Sequence, residues 1–333
     1  MDRVLKSYLI GRQAGDLDSP GFESSWVGGL SILLLSLAFL TLKFYDQGIY
    51  PIHLMFVAAF VGLYFLHPLT RRFLVIALPV AGYAIIYDFF RYVPFSWLQP
   101  IHVTGPYNFD LHWFGLMDHG QLLHLNQWVF QKFANPLFDF ASGILYFLHV
   151  PMAVAMLFLL WRFRTSKVAE RYAFAFFLMN VWAFITYLVF PAAAPWYVEK
   201  YGFLQPLAPV MGDAAGLKRF DALLGIHVFS QNYQISPVTF GAIPSMHIGV
   251  ATLVCLYSFK LGKKWGVLFS LYLLGMVFSA LYLNHHYFID LLVGALYAVL
   301  AWLLCEHALK KPLVRLYQHL SYWTGLSKDS NQG

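Results

Sequence analysis

Two short segments of this chain carry side chains suited to moving a phosphoryl group. In Asn284-His-His-Tyr-Phe-Ile-Asp290, His286 and Asp290 stand four residues apart, a spacing that puts both on one face of a helix. A carboxylate so placed accepts the Nδ1 proton of the imidazole, leaves Nε2 free and stabilises the imidazolium or phospho-imidazole that forms. A nucleophilic histidine needs such an orienting partner. The second segment, Gly241-Ala-Ile-Pro-Ser-Met-His247, supplies another imidazole. Pro244 and Ser245 suit a helix start, where proline loses no hydrogen bond and a serine hydroxyl can cap free amides. His247 is then expected on the first turn, where the positive helix end favours an anion such as phosphate.

The elements that hold these residues are apolar. Of 333 residues, 59% are hydrophobic and 19% aromatic, and only 11% are charged, against about 25% charged in a soluble domain. A bilayer core about 30 Å thick needs about 20 apolar residues in a helix. Eight stretches qualify: 27–45, 51–68, 73–90, 137–161, 172–190, 242–259, 265–283 and 288–308, the second short enough to be re-entrant. The expected fold is an all-α, polytopic membrane bundle. It forms one domain over 1–333, with N-terminal spans and an interfacial cap to 136, a catalytic core over 137–310 and a cytoplasmic tail from 311.

The net charge of +6 does not point to nucleic acid, because the Lys and Arg sit between apolar runs rather than along a stripe. With the N-terminus inside, most fall on the cytoplasmic side, as the positive-inside rule requires: Arg3, Lys6 and Arg12; Arg71 and Arg72; the run from Arg162 to Arg171; Lys260 to Lys264; and Lys310 to Lys328. The connections 91–136 and 191–241 and the turn 284–287 then lie outside, on a periplasmic or lumenal face. Both chemical segments are there. Ionisable groups inside apolar spans are costly and by default functional, and the two imidazoles are separated by a single helical hairpin. No signal-peptide pattern opens the chain. Cys255 and Cys305 read as core hydrophobes. Connection 91–136, with Trp97, Trp113 and Trp128, reads as an interfacial layer. Its His112, Asp118, His119 and His124 match no metal-ligand spacing, so neither metal nor cofactor is expected.

At its histidine segments the chain resembles the type 2 phosphatidic acid phosphatase superfamily, whose members share Pro-Ser-x-His and His-x-x-x-Asp elements on neighbouring spans. The resemblance implies that His286 is the nucleophile, that His247 protonates the leaving group and that Asp290 orients His286. The arginine of the superfamily's third motif would fall at Ala280 and is missing, and the Lys-x6-Arg-Pro motif is absent. The chain is more similar to the inositol phosphorylceramide synthases of fungi and their bacterial relatives. The similar stretches are Tyr282–Asp290, Phe240–His247, Phe190–Val198 and Gly216–Asp221. This branch implies transfer of phosphoinositol, or a similar headgroup, from a phosphatidylinositol-like donor to a ceramide-like acceptor. A lipid phosphatase using the same residues is the alternative.

Missing cations must be replaced, because charge on phosphoryl oxygens needs donors. Arg219, with Lys218 beside it, is the candidate, its alternative being a charge facing headgroups. Ser245 and His285 are further substrate-contact candidates, although His285 lies about 100° round a helix from His286 and can equally pack. Arg91 and Asp88 are placed to bond an inositol ring or simply each other.

Overall fold

The computed structural model describes residues 26–46, 48–49, 51–324 and 326; the basic residues Arg3, Lys6, Arg12 and Lys328 and both expected cytoplasmic ends lie outside them. In chain order the helices are α1 Trp26–Asp46, α2 Pro51–Leu66, α3 Pro68–Phe89, α4 Thr104–Phe114, α5 Leu125–Phe133, α6 Pro136–Phe147, α7 His149–Phe163, α8 Ser166–Val189, α9 Pro195–Tyr201, α10 Leu217–Leu224, α11 Val228–Gln234, α12 Met246–Ser258, α13 Lys263–Tyr282, α14 Phe288–Leu303 and α15 Lys310–Trp323. A short antiparallel hairpin, β1 Leu116–Asp118 with β2 Gln121–Leu123, interrupts them.

The residues fall into two compact units. One holds the described residues up to Leu78 and those from Lys311 onward; the other is Pro79–Lys310 and contains both chemical segments. In the first, the Arg71 guanidinium donates to the Tyr64 carbonyl (2.9 Å) and lies over the Tyr64 ring.

Within Pro79–Lys310, α12 is the central helix, packed against α7, α8, α13 and α14. Every residue from Ile248 to Cys255 is buried, so no polar face is left for water. The helix α14 reverses the soluble pattern. Leu292, Leu296 and Leu300 are exposed along one face, while Gly294, Ala298 and Ala301 turn inward. Large apolar side chains outward and small ones between helices are what lipid surroundings select.

All eight expected spans contain a helix, but not all are full crossings. Five described helices are long and apolar enough to cross a bilayer, or six if the bent pair α6 and α7 counts as one span, and Met246–Ser258 and His53–Leu66 are shorter apolar helices. At 1.5 Å per residue α12 spans only about 20 Å; enclosed by four helices, it need not face lipid along its length. The expected continuous span 137–161 bends by 50° between α6 and α7. Pro151 accounts for the break, since its ring crowds the carbonyl four residues back, at Phe147.

The loops over one end of this unit are fastened to each other by backbone bonds. The Ala193 amide donates to the His102 carbonyl (3.0 Å), that of Ala192 to the Phe240 carbonyl (2.8 Å) and that of Ala242 to the Ala192 carbonyl (3.3 Å). The segment leading into α12 is thereby fixed. The Ser245 amide then donates to the Asp290 carbonyl (2.9 Å), and a Cβ on Gly294 would collide with the Ser245 carbonyl. Only glycine permits this approach of α12 to α14. Replacing Gly294 by alanine should therefore cost about 1–3 kcal/mol of stability and lower the thermal midpoint of the detergent-solubilised protein by several degrees. Gly62→Ala, where nothing lies within 4 Å, should leave that midpoint in place.

Candidate active site

The crossing of α12 over α14 brings the two imidazoles together. His247 is the second residue of α12, and His286 lies in the turn just before α14. His286 Nε2 stands 3.4 Å from His247 Nδ1. On its other side His286 Nδ1 is 3.2 Å from Asp290 Oδ2, which also accepts the Tyr287 amide at 2.9 Å. Asp290 is fully buried, and its position is fixed by the helix that carries it. The tautomer that this arrangement favours puts the proton on Nδ1 and the lone pair on Nε2, facing His247.

Burial pushes the His286 imidazole down to about 4, against a smaller upward pull from a hydrogen bond to the Ala242 backbone. At neutral pH it is uncharged, the state a nucleophile needs. Burial likewise lowers His285, to about 3, with His286 beside it adding to the effect.

Both His247 and His286 line a cavity of about 440 Å³. Its walls are mostly apolar and aromatic, from Tyr83 and Tyr87 on α3, Phe184 and Tyr187 on α8, Trp196 on α9 and Tyr233 on α11. No Lys or Arg is among its lining residues. The first turn of α12, which carries His247 at this cavity, presents the positive end of a helix. The Ser245 hydroxyl makes no capping bond and is buried without a protein partner, contrary to the expectation that it caps amides. Those amides remain available to an anion.

The other expected site residues are distributed differently. His285 lines the same cavity, its Nε2–H donating to the Ala214 carbonyl (3.0 Å) and its ring stacking on Tyr233; it is a packed wall residue. Arg219 Nε donates to Asp139 (2.6 Å), and its guanidinium lies over Phe130. Lys218 bonds Asp213 at 2.6 and 2.7 Å to its two oxygens. Both cations line a neighbouring cavity and not that of the histidines. Burial works to raise the Asp213 carboxyl, but bonds from Lys218, the Ala215 amide and Lys200 outweigh it and hold it below the usual range. Arg91 and Asp88 pair with each other (2.7 Å), and Arg91 lines a further cavity. In connection 91–136, His124 turns inward to Asp110 (3.1 Å), while the side chain of His119 is 90% exposed beside Asp118.

Two site residues escaped the motif reading. His149 opens α7 at the bend, lines the cavity, packs its ring 4.6 Å from that of His247, and keeps a buried Nδ1 without a protein partner. Tyr146 stacks on His247 at 4.3 Å. A histidine inside an apolar run was the available signal for the first; nothing local marks the second.

Comparisons with known proteins show the family. A family model described as the PAP2 superfamily matches residues 112–304. The chain is 34% identical over 285 residues to a Bacteroides thetaiotaomicron protein named phosphoinositol dihydroceramide synthase, covering 85% of this chain and 92% of that one. It is 33% identical over 236 residues to the Saccharomyces cerevisiae inositol phosphorylceramide synthase catalytic subunit AUR1, covering 71% of this chain and 57% of that one. For the Schizosaccharomyces pombe subunit aur1 the identity is 29% over 240 residues, covering 72% and 55%. The chain thus spans just over half the length of these two fungal relatives. No solved structure matches it.

The depressed imidazole has a direct readout. In ring-labelled protein, the nitrogen resonance that disappears in a His286→Gln variant should titrate with a midpoint near 4. A midpoint near the ordinary 6.5 would contradict the burial that the structure gives this ring.

Proposed function

This chain belongs to the PAP2 superfamily, and on that footing we propose that it is an inositol phosphorylceramide synthase-like transferase. It moves a phosphoinositol group, or a closely similar one, from a glycerophospholipid to a ceramide-like acceptor. The observation that carries the reading is the line from Asp290 through His286 to His247, set at the wall of an apolar cavity. Two lipid substrates need such a cavity, and headgroup exchange between them needs a nucleophile that can hold the headgroup.

The two imidazoles touch at 3.4 Å, so a phosphoryl group enters by parting them. His286 Nε2 attacks phosphorus, and the bond to the diacylglycerol oxygen breaks as protonated His247 delivers its proton to that oxygen. Diacylglycerol leaves neutral. The phospho-imidazole keeps its Nδ1 proton, and the Asp290 carboxylate offsets the positive charge of the ring. His247, now neutral, accepts the proton of the ceramide primary hydroxyl, whose oxygen attacks phosphorus and releases His286. One residue serves as acid and then as base, as reversibility along the same path requires. The first-turn amides of α12 supply donors to the phosphoryl oxygens, the role that the missing arginine would otherwise fill.

Sidedness follows from where the charges sit. Arg171 and Lys260 both donate to Glu306 (2.8 and 3.4 Å), gathering the basic segments at the ends of α8, α12 and α14 remote from the histidines. By the positive-inside rule such an end is cytoplasmic, which supports a periplasmic or lumenal location for the chemistry.

Membranes incubated with phosphatidylinositol and ceramide should yield a phosphoinositol-ceramide ion by mass spectrometry, and His286→Ala should abolish it. Inorganic phosphate released from a lipid phosphate monoester, with no new sphingolipid, would instead identify a phosphatase. Asp290→Asn still accepts the Tyr287 amide but misdirects the His286 tautomer; the transfer rate should fall roughly 10³- to 10⁴-fold. A fall under tenfold in steady-state assays would remove the aspartate from its orienting role.

A further inference from the structure

Beside the histidine cavity lies a second, more polar one of about 600 Å³. The two share Trp196 and Asp213 as a partition. The turn from α13 to α14 serves both: His285 and His286 face the first cavity, whereas Tyr282, Asn284 and Tyr287 face the second. Asn284 makes this alternation possible by adopting a left-handed conformation, with φ of 60°, which asparagine tolerates.

His124, one half of a second histidine–carboxylate pair, lines this polar space. Asp110 and His124 are 0% and 1% exposed, with Asp110 Oδ2 3.1 Å from His124 Nδ1. The other oxygen of Asp110 accepts the Ile289 amide at 3.0 Å, tying the pair to the first turn of α14. With Nδ1 directed to the carboxylate, His124 Nε2 is left as an acceptor. It is buried and no protein group satisfies it. The same holds for the Tyr287 hydroxyl and for Asn126 Oδ1. Buried polar atoms are nearly always paired. These three unpartnered atoms belong to residues that line a single cavity, and an occupant rich in hydroxyls would satisfy them.

We propose that this cavity is the headgroup subsite, and that His124, oriented by Asp110, and Tyr287 select a cyclic polyol by hydrogen bonds to its hydroxyls. The inference rests on the transferase reading. With phosphorus at His286, the lipid chains remain in the aromatic cavity and the headgroup crosses the catalytic turn into the polar one. His124 and Tyr287 are specificity residues here, acting on the headgroup hydroxyls and not on phosphorus.

Tyr287→Phe is the sharpest test, because it deletes a hydroxyl that nothing in the protein uses and so leaves the fold intact. His124→Gln, which can still donate to Asp110, is the second variant. With ceramide as acceptor, each should raise the KM for phosphatidylinositol roughly fivefold or more, leave the ceramide KM within twofold, and reduce the preference for phosphatidylinositol over phosphatidylglycerol. An unchanged donor KM and donor preference would overturn the proposal, as would equal losses on every substrate. Binding of labelled inositol 1-phosphate to the same proteins reads the subsite without turnover. Binding that both variants weaken supports it, and no binding to the wild type, or equal binding to all three, overturns it. If the wild type binds this headgroup yet transfers nothing to ceramide, the transferase reading alone fails.

Discussion

The site depends on the contact between two helix ends. Ser245, just before α12, rests on Gly294 of α14 and donates its amide to the Asp290 carbonyl. That contact converts two sequence segments 39 residues apart into one constellation. His247 hangs from the first helix, and His286 and Asp290 from the entry to the second. Backbone bonds among residues 102, 192 and 240 hold the approach to α12, so the geometry is set by main chain rather than by flexible side chains. Helices in lipid lack a hydrophobic force between them and associate through close packing and small residues, which is why a glycine has such leverage here.

A division of solvent character follows from the same turn. Its residues alternate between an aromatic cavity without lysine or arginine among its walls and a polar one that holds Arg219, Lys218 and Lys200. Each of these cations is already bound to a carboxylate, Asp139 or Asp213. Their fields are partly neutralised in place, and they shape the polar cavity more than they attract a free anion. In the proposed reaction the phosphoryl charge would be met by the amides of α12, whose orientation requires no side-chain reorganisation.

What could be read in the sequence was what is local or periodic. The four-residue spacing of His286 and Asp290 was enough to foresee their contact, and alternating basic clusters were enough to put His247 on the same side. The helical membrane fold was visible in composition alone. What could not be read lies in long-range pairing. Arg219 finds Asp139 across 80 residues, and Asp110 finds His124 within a connection that looked like an aromatic surface layer. The Ser245 hydroxyl looked like a cap, but the backbone of Ser245 is committed to Asp290. His149 and the bend before it were in plain view, as a histidine and Pro151 within an apolar run, but a hydropathy window averages both away.

The aromatic lining has a kinetic consequence. A phosphohistidine is discharged by whichever nucleophile reaches it first, and bulk water at tens of molar ordinarily wins. A wall of Tyr83, Tyr87, Phe184, Tyr187 and Trp196 offers few partners to water but a favourable environment to an alkyl chain. In the proposed transfer, hydroxyls that arrive on lipids would thereby be enriched over those that arrive from solution, and partitioning would settle the competition between transfer and hydrolysis before the acceptor oxygen meets phosphorus.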